Sequence, residues 1–291
     1  MKRALVLAFV LLSISALAQT SPLRVRWEEL TAPDFHTAIE KSGGTCLLPF
    51  GILEKHGPHL PIGTDLLNVR KASLDAAERE YAIVFPDYYF GQIFEAQQFP
   101  GAIAYSPHIQ MELLQETTDE MARNGCKKII IVNGHGGNNS FLPYFVQTQM
   151  AKPHDYVVYL FGLYSRDTKG GPPHKAKGPD MHAGEAETAT TMVNYPDLVK
   201  MDQANTQSGA DQHRQHLPDT LYTGIWWYAR FPNHYSGNGA LATKELGEFE
   251  MKSWEDAIVE AIKAVKADTE TKKLQDEYYG KISHPLDTKP Q

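Results

Sequence analysis

Short apolar runs alternate with longer amphipathic stretches along most of the chain. The apolar runs predict strands at residues 44–50, 81–85, 127–132 and 156–161. Apolar residues at helical spacing predict helices at residues 66–80, 108–125, 139–151, 183–195 and 242–275. The β-branched run IIIV has no polar alternation, which is typical of a strand covered by helices on both faces. This order of elements predicts an α/β fold with a mainly parallel central sheet flanked by helices.

Three segments lack a regular pattern. Residues 165–180 are rich in Gly, Pro and Lys and predict a long loop. Residues 203–240 are polar and aromatic with scattered glycines, and they predict an irregular excursion or a lid. Residues 281–291 predict a loose C-terminal tail. We therefore expect a single α/β domain over residues 19–280.

The first residues have the pattern of a signal peptide. Lys2 and Arg3 precede a nearly unbroken apolar run from Ala4 to Leu17, and small residues at 16 and 18 offer a cleavage site. We expect cleavage after residue 18, which would make the mature protein periplasmic or secreted and free of a membrane segment. An uncleaved membrane anchor is the alternative, although the apolar run is short for a span.

Composition narrows the class of partner. The chain has 291 residues, of which 42% are hydrophobic and 22% charged, and its net charge is −7. A mildly acidic chain without a basic stripe argues against binding to nucleic acid or to an anionic membrane surface. Chemistry on a small molecule or a short peptide is the better expectation.

Only two cysteines are present, Cys46 and Cys126. Each lies in or just before an apolar strand-like run, which favours buried free thiols. One disulfide between them is the alternative if the protein folds in an oxidising compartment.

The densest cluster of chemically active side chains lies at residues 49–65, PFGILEKHGPHLPIGTD. It contains Glu54, His56, His59 and Asp65 among glycines and prolines that stiffen a loop at the end of a predicted strand. Open α/β sheets bind their ligands in such loops. Carboxylate oxygens mixed with imidazole nitrogens suit zinc, manganese or iron(II), and they do not suit calcium. A surface turn with incidental charges is the alternative.

Two further segments add candidates. The turn NGHGGNN at residues 133–139 places His135 directly after a predicted strand, and it lacks the spacing of a phosphate-binding loop. A structural His135 is the alternative to a metal ligand. The segment HAGEAET at residues 182–188 offers His182, Glu185 and Glu187 at a predicted helix start. Residues three apart share a helix face, so His182 and Glu185 are expected to face one pocket. The alternative is that the acidic residues only stabilise the start of the helix.

Together, LPFGILEKHGPHLPIGTD, NGHGGN and HAGEAET resemble the creatininase family of amidohydrolases in order and spacing. The resemblance extends from about Trp27 to Glu250 and includes FPGAIAYSPH at residues 99–108, where Ala102 replaces the usual Thr. It implies a three-layer creatininase-like α/β fold. It also implies a homo-oligomer, often a hexamer.

The resemblance further implies a site for two divalent metal ions, zinc or manganese, with iron as a third candidate. Asp65 would bridge the ions, Glu54 and His135 would complete one site, and His56 would belong to the other. Members that hydrolyse creatinine carry a Glu where this chain has Gly137. Members similar to deformylases and a mycofactocin-processing peptidase take the corresponding ligand from the Glu of HAGE. That residue is Glu185 here, and the substitution argues against creatinine as the substrate.

Two catalytic roles follow from the resemblance and from metal chemistry. His182 would stabilise the oxyanion or pass a proton to the leaving nitrogen. Glu187 would orient His182 or a ligand. The aromatic residues Trp226, Trp227, Tyr228 and Tyr235 favour a core or subunit interface over a pocket wall, and Gln92 and Glu95 receive no role.

These observations predict an exported, metal-dependent amidohydrolase that cleaves a C–N amide or lactam bond of a small molecule with metal-activated water. A peptidase- or deformylase-like enzyme of the same family is one alternative. A metal-binding protein without catalytic activity is the other.

Overall fold

The computed structural model of the protein describes residues 22–162, 165, 168–218 and 220–289. The predicted signal peptide, residues 1–18, lies outside this part of the chain. The strands are β1 Thr45–Phe50, β2 Ile83–Val84, β3 Lys128–Asn133 and β4 Val157–Phe161. The helices are α1 Ala32–Ser42, α2 Thr64–Arg79, α3 Pro107–Arg123, α4 Asn138–Thr148, α5 Glu185–Asn194, α6 Trp226–Arg230, α7 Lys244–Ala267 and α8 Glu270–Ile282.

The strands form one parallel sheet in the order β2-β1-β3-β4. In its centre, Leu47 of β1 pairs with Ile130 of β3, which pairs with Tyr159 of β4. All carboxyl ends therefore lie at one edge of the sheet. The predicted α/β class, with its mainly parallel sheet flanked by helices in three layers, is confirmed.

Both faces of the sheet are buried by helices. In β3, Ile129 and Ile131 belong to a core that includes residues of α1, α3 and α4. Ile130 and Val132 belong to a second core, formed with α2 and α7. Successive strand residues point to opposite faces, so a strand between two helical layers needs an apolar residue at every position. This explains the unbroken apolar run of β3.

Local side chains set the helix boundaries. Helix α1 begins after Thr31, whose hydroxyl accepts a hydrogen bond from the Asp34 amide, and α7 begins after Thr243, whose hydroxyl accepts one from Leu246. The single helical stretch predicted over residues 242–275 is wrong, because it is two helices. Asp268 separates them: its backbone is extended, and its carboxylate accepts hydrogen bonds from the first amides of α8.

Two other boundaries differ from the pattern. The strand predicted at residues 81–85 is only Ile83–Val84. Helix α8 continues to Ile282, and a 3-10 turn at Pro285–Asp287 follows within the predicted tail. Among the described residues, no helix has both the length and the apolar character needed to span a membrane.

The two cysteines form a disulfide, so the expectation of free thiols is wrong. Cys46 and Cys126 are both completely buried, as expected. Strands β1 and β3 pair in parallel, so Cys46 near the start of β1 lies beside Cys126, which precedes β3. The Cα atoms of the two cysteines are 5.7 Å apart. This separation is within the range that a disulfide needs.

Replacing both cysteines by alanine is expected to lower the free energy of unfolding by about 2–5 kcal/mol. The reason is that the disulfide links residues 80 apart in sequence and thereby lowers the conformational entropy of the unfolded chain. Urea unfolding of wild type and variant measures this difference. Wild type in a strong reductant should approach the stability of the variant. Equal stability of all three samples would contradict a structural role for the disulfide.

Candidate metal centre

The candidate site lies at the carboxyl edge of the sheet. Glu54 and His56 follow β1, and His135 follows β3, while Asp65 lies in the first turn of α2. The loop after β1 returns tightly to α2. A Cβ atom on Gly51 would lie 2.3 Å from the Leu66 Cα, so only glycine lets the helix start approach the strand end this closely.

Asp65 lies at the centre of the cluster. Its Oδ1 is 3.0 Å from His56 Nε2, and its Oδ2 is 2.9 Å from His135 Nδ1. The carboxylate is almost fully buried. A single side chain therefore joins two histidines from different loops, one of them 70 residues away from Asp65 in sequence.

Backbone carbonyls fix the orientation of both histidines. His56 Nδ1 lies 3.2 Å from the Glu54 carbonyl oxygen, and His135 Nε2 lies 2.9 Å from the carbonyl oxygen of Gln92. A carbonyl can only accept, so these two ring nitrogens carry the protons that are donated. The other nitrogen of each ring faces Asp65, which is the usual arrangement of a metal-ligating histidine.

Glu54 is held from several directions. Its Oε1 lies 2.8 Å from His135 Nδ1 but makes no well-aligned hydrogen bond, although the atom is buried. Its Oε2 contacts His234 Nε2 at 2.5 Å and lies 3.6 Å from His182 Nε2. A buried carboxylate oxygen without a hydrogen bond is costly, and a cation would satisfy it.

The prediction that Glu185 reaches this cluster requires correction. Both carboxylate oxygens of Glu185 accept hydrogen bonds from the amide of Lys175, and one also accepts from Ala176. These contacts anchor the predicted 165–180 loop. Glu187 faces the cluster instead, with its Oε2 3.9 Å from both His56 Nε2 and His182 Nδ1.

The helix start explains this difference. Glu185 is the first residue of α5, so His182 precedes the helix and the spacing of three residues does not place them on one face. His182 instead pairs with Ser236 through backbone hydrogen bonds in both directions. Residues two apart on a helix point in nearly opposite directions, so Glu185 and Glu187 cannot both enter the cavity.

Three sets of side chains have ligand atoms within 4.8 Å of one another: Glu54, Asp65 and His135; His56, Asp65 and Glu187; and Glu54, His56 and His182. The first two sets share Asp65. Hence the described residues offer two adjacent three-ligand groups joined by one carboxylate. Mixed carboxylate and imidazole donors of this kind fit zinc or manganese.

Charge balance supports the same interpretation. Burial alone would lower the pKa of His56, but the Asp65 carboxylate raises it to about 9. The pKa of His135 also stands well above its usual value, despite its burial, because Glu54 and Asp65 are adjacent. The buried carboxylates thus demand positive charge, which protons on the histidines or metal cations can supply.

His234 belongs to the site although the sequence reasoning missed it. The Trp227 indole donates a hydrogen bond of 2.9 Å to His234 Nδ1, so that nitrogen carries no proton and Nε2 donates to Glu54. His234 also has a left-handed backbone, with φ of 51°. Its only sequence signal was its place among three histidines in the glycine-dotted irregular segment of residues 203–240, which was too weak to select it.

His59 lies outside the ligand cluster. Its Nε2 is 2.8 Å from the Thr188 hydroxyl of α5, and its ring packs near Tyr235. Burial lowers the pKa of His59 to about 4, so this histidine is neutral. His59 therefore connects the loop after β1 to α5.

A cavity of about 230 Å³ opens onto the cluster. Its wall includes Glu54, His135, His182, Glu187, Trp226, Trp227 and His234. The sequence favoured a core or subunit-interface role for four aromatic residues. Of these, Trp226 and Trp227 line the cavity, whereas Tyr235 is buried.

Gly137 has a steric reason to be glycine. A Cβ atom there would lie 2.4 Å from His135 Nε2 and 3.0 Å from the Gln92 carbonyl oxygen, the two atoms of one hydrogen bond. In this backbone a longer side chain at residue 137 would displace the histidine. At Gly136, by contrast, nothing lies within 4 Å of an added Cβ.

Comparison with known proteins identifies relatives over much of the chain. A family model described as creatininase, creatinine amidohydrolase, matches residues 28–262. Creatinine amidohydrolase of Pseudomonas putida is 27% identical over 194 residues, which are 60% of this chain and 73% of that protein. Mycofactocin precursor peptide peptidase of Mycolicibacterium smegmatis is 31% identical over 163 residues, covering 54% of this chain and 60% of that protein.

The fold is also known. A solved structure of creatininase with Mn superposes with a TM-score of 0.71 at 22% identity, covering 84% of this chain and 100% of the other. This similarity supports the three-layer architecture independently of the sequence matches.

Gly137→Ala is expected to weaken zinc binding by about 10- to 100-fold, because the added methyl group disrupts the hydrogen bond that orients His135. Gly136→Ala is the matched control, with an expected change of no more than about twofold. Titration calorimetry with zinc measures both variants. Equal affinities would show that the His135–Gln92 contact does not control the ligand set.

Proposed function

The chain belongs to the creatininase family, and on that premise we propose that it is an exported hydrolase that cleaves a C–N amide bond with two divalent cations held by Glu54, His56, Asp65, His135 and Glu187. The observation that carries the proposal is the pair of three-ligand groups sharing Asp65. In hydrolysis, the hydroxyl of water adds to the carbonyl carbon, the C–N bond breaks, and the nitrogen takes a proton.

The donor set fits two divalent cations. Glu54, Asp65 and Glu187 bring three carboxylates to one cavity, and the two ligand histidines are neutral when they coordinate. Without added cations, protons on His56 and His135 offset the charges of Glu54 and Asp65, and burial raises the pKa of Glu187 to about 7. Bound cations would lower the pKa of a water molecule and polarise the substrate carbonyl.

His182 is placed to move a proton. Its Nε2 donates to the Lys55 carbonyl at 2.8 Å, so in the neutral ring the free lone pair is on Nδ1. Burial, together with the neighbouring His56 and His234, lowers the pKa of His182, which favours that neutral form. Of the two roles considered from the sequence, this geometry favours proton transfer over donation to an oxyanion, because the donating nitrogen is already in use.

His234 has a positioning role in this proposal. It donates to Glu54 Oε2 and leaves Oε1 directed toward His135. Because Trp227 fixes the tautomer of His234, the direction of the donated proton is set by the cavity wall. The carboxylate is thereby oriented for a cation.

The proposed C–N amide bond is of the type that the names of two relatives indicate, a creatinine amidohydrolase and a precursor peptide peptidase. A creatininase-like small amide or lactam was the first expectation from the sequence. Gly137 argues against creatinine itself, since the carboxylate at that position in creatinine-hydrolysing members is replaced here by one from α5. A peptidase-like or deformylase-like reaction fits the same site, because Gly136, which lines the cavity, has nothing within 4 Å of an added Cβ atom.

Two independent features support export. Residues 1–18 have the composition of a signal peptide, and the Cys46–Cys126 disulfide is typical of proteins that fold in oxidising compartments. Expression of the full chain in a bacterial host should therefore give a periplasmic protein whose mass corresponds to a start at Gln19. Mass spectrometry of the purified protein provides the test. An uncleaved cytoplasmic product would contradict export.

Glu187→Gln is expected to lower the bound metal from two ions per chain toward one, and to reduce kcat/KM at least about 100-fold, since a bound cation supplies several kcal/mol of transition-state stabilisation. Elemental analysis and kinetics after chelation and reconstitution measure these effects. Glu185→Gln is the matched control at the same helix start. It should keep both ions and lose only about 1 kcal/mol of stability through weaker contacts to Lys175 and Ala176.

A panel of lactams, formamides and short peptides, each assayed with zinc, manganese and iron, identifies the reaction. Hydrolysis that disappears on chelation and returns with one metal supports the proposal. Full metal content in Glu187→Gln, or a loss of metal in Glu185→Gln, would reverse the ligand assignment. Absence of hydrolysis in a fully metallated protein would favour a binding protein without catalytic activity.

A further inference from the structure

A second, larger space adjoins the metal cavity. This groove has a volume of about 900 Å³, against about 230 Å³ for the cavity itself. The two spaces share five wall residues, Glu95, Gly136, Gly137, Trp226 and Trp227. The groove and the cavity therefore adjoin along these five residues.

Size distinguishes the two compartments. Pockets for drug-sized ligands measure about 300–1,000 Å³, so the groove alone accepts a molecule of that size, whereas the cavity holds only a small group. A substrate confined to the cavity would leave the groove unused. An extended substrate would place its reacting amide in the cavity and its remainder in the groove.

The groove is lined mainly by aromatic and aliphatic side chains. Tyr144 is 65% exposed, Tyr222 79% and Ile225 57%, and these three line the groove together with Phe94 and Tyr228. Large apolar side chains rarely cluster on a surface unless they bind something. Aromatic rings of this kind pack favourably against another ring or a bulky aliphatic group.

Charge restricts the ligand further. Among the described residues that line the groove, none is Arg, Lys or His, and one is the carboxylate of Glu95. Two nearby cations are already engaged: Arg230 bonds to Asp211, and Arg214 bonds to the Ala229 carbonyl. A phosphate or carboxylate on the substrate would find no positively charged side chain among these described lining residues and would be repelled by Glu95.

We propose that the substrate is an extended amide, such as a peptide or an N-formyl amino acid amide, whose side chain next to the scissile bond is bulky, apolar and not anionic. This inference rests on the proposed hydrolase function and specifies its substrate class. It disfavours a small lactam, which cannot reach the groove, and a phosphorylated compound, which the groove does not neutralise.

The test uses two matched series with the metallated wild-type protein. One contains formyl-Phe-amide, formyl-Gly-amide and formyl-Asp-amide, and the other contains alanyl-Phe-amide, alanyl-Gly-amide and alanyl-Asp-amide. In the series that is cleaved, kcat/KM should be about 10- to 100-fold higher for Phe than for Gly, the factor that burial of a phenylalanine side chain supports. The Asp compound should be the poorest substrate.

Variants locate the effect. Tyr144→Ala and Tyr222→Ala should each lower the Phe-to-Gly ratio by about three- to tenfold through loss of ring contacts. Glu95→Gln should raise kcat/KM for the Asp compound relative to Gly by roughly fivefold. Tyr278→Ala is the matched control, because Tyr278 is also an exposed tyrosine but lies on α8 and does not line the groove. Both ratios should stay at the wild-type value in that variant.

The outcomes separate the two proposals. Equal kcat/KM for the three side chains, with metal-dependent cleavage intact, would overturn the substrate class alone. No cleavage in either series or of the earlier panel, in protein with full metal content, would overturn the hydrolase function and this inference with it. If Tyr144→Ala and Tyr222→Ala change the oligomeric mass in light scattering and leave the Phe-to-Gly ratio unchanged, the groove is an interface between copies of this chain and the proposal fails.

Discussion

Mutual repulsion among buried carboxylates is the constraint on which the site depends. Glu54 and Asp65 are almost completely enclosed, and the partly exposed Glu187 directs its carboxylate toward His56, which also contacts Asp65. Such a group is stable only if positive charge lies between its members. The surrounding histidines meet this need in two ways, because they can carry protons themselves or present lone pairs to cations. The backbone carbonyls that hold His56 and His135 make the second state available without rearrangement.

The fold satisfies this constraint with unrelated parts of the chain. Parallel pairing brings the carboxyl ends of β1 and β3 side by side, which sets the loops of Glu54 and His135 together. The close approach of α2 to Gly51 adds Asp65, and α5 adds Glu187. Helix α5 itself is positioned by its packing on α7 and by Asp180, whose carboxylate accepts hydrogen bonds from Glu185 and Ala186 at the helix start. Thus the ligand set needs most of the domain to be folded.

The sequence predicted the fold and part of the candidate site for clear physical reasons. The apolar runs and helical spacing indicated the layers, and the loops after strands offered Glu54, His56, Asp65 and His135 as candidates. Their meeting in one site was implied by the resemblance to the creatininase family. The choice between Glu185 and Glu187 depended on where α5 begins, and a shift of two residues reverses which side chain faces inward. His234 and the Cys46–Cys126 pair depended on contacts between distant segments. Neither has a local pattern that sets it apart from an ordinary buried residue.

The Trp227–His234–Glu54 chain couples the shape of the cavity to its chemistry. Trp227 forms part of the wall that a bound molecule would touch, and its indole proton determines which nitrogen of His234 is free to donate. Glu54 accepts that hydrogen bond through Oε2 and has Oε1 directed at His135. A displacement of the wall by even one hydrogen-bond length would free the imidazole to change tautomer and would release the carboxylate. The position of a cavity-wall residue and the orientation of a candidate metal ligand are therefore linked through two consecutive hydrogen bonds.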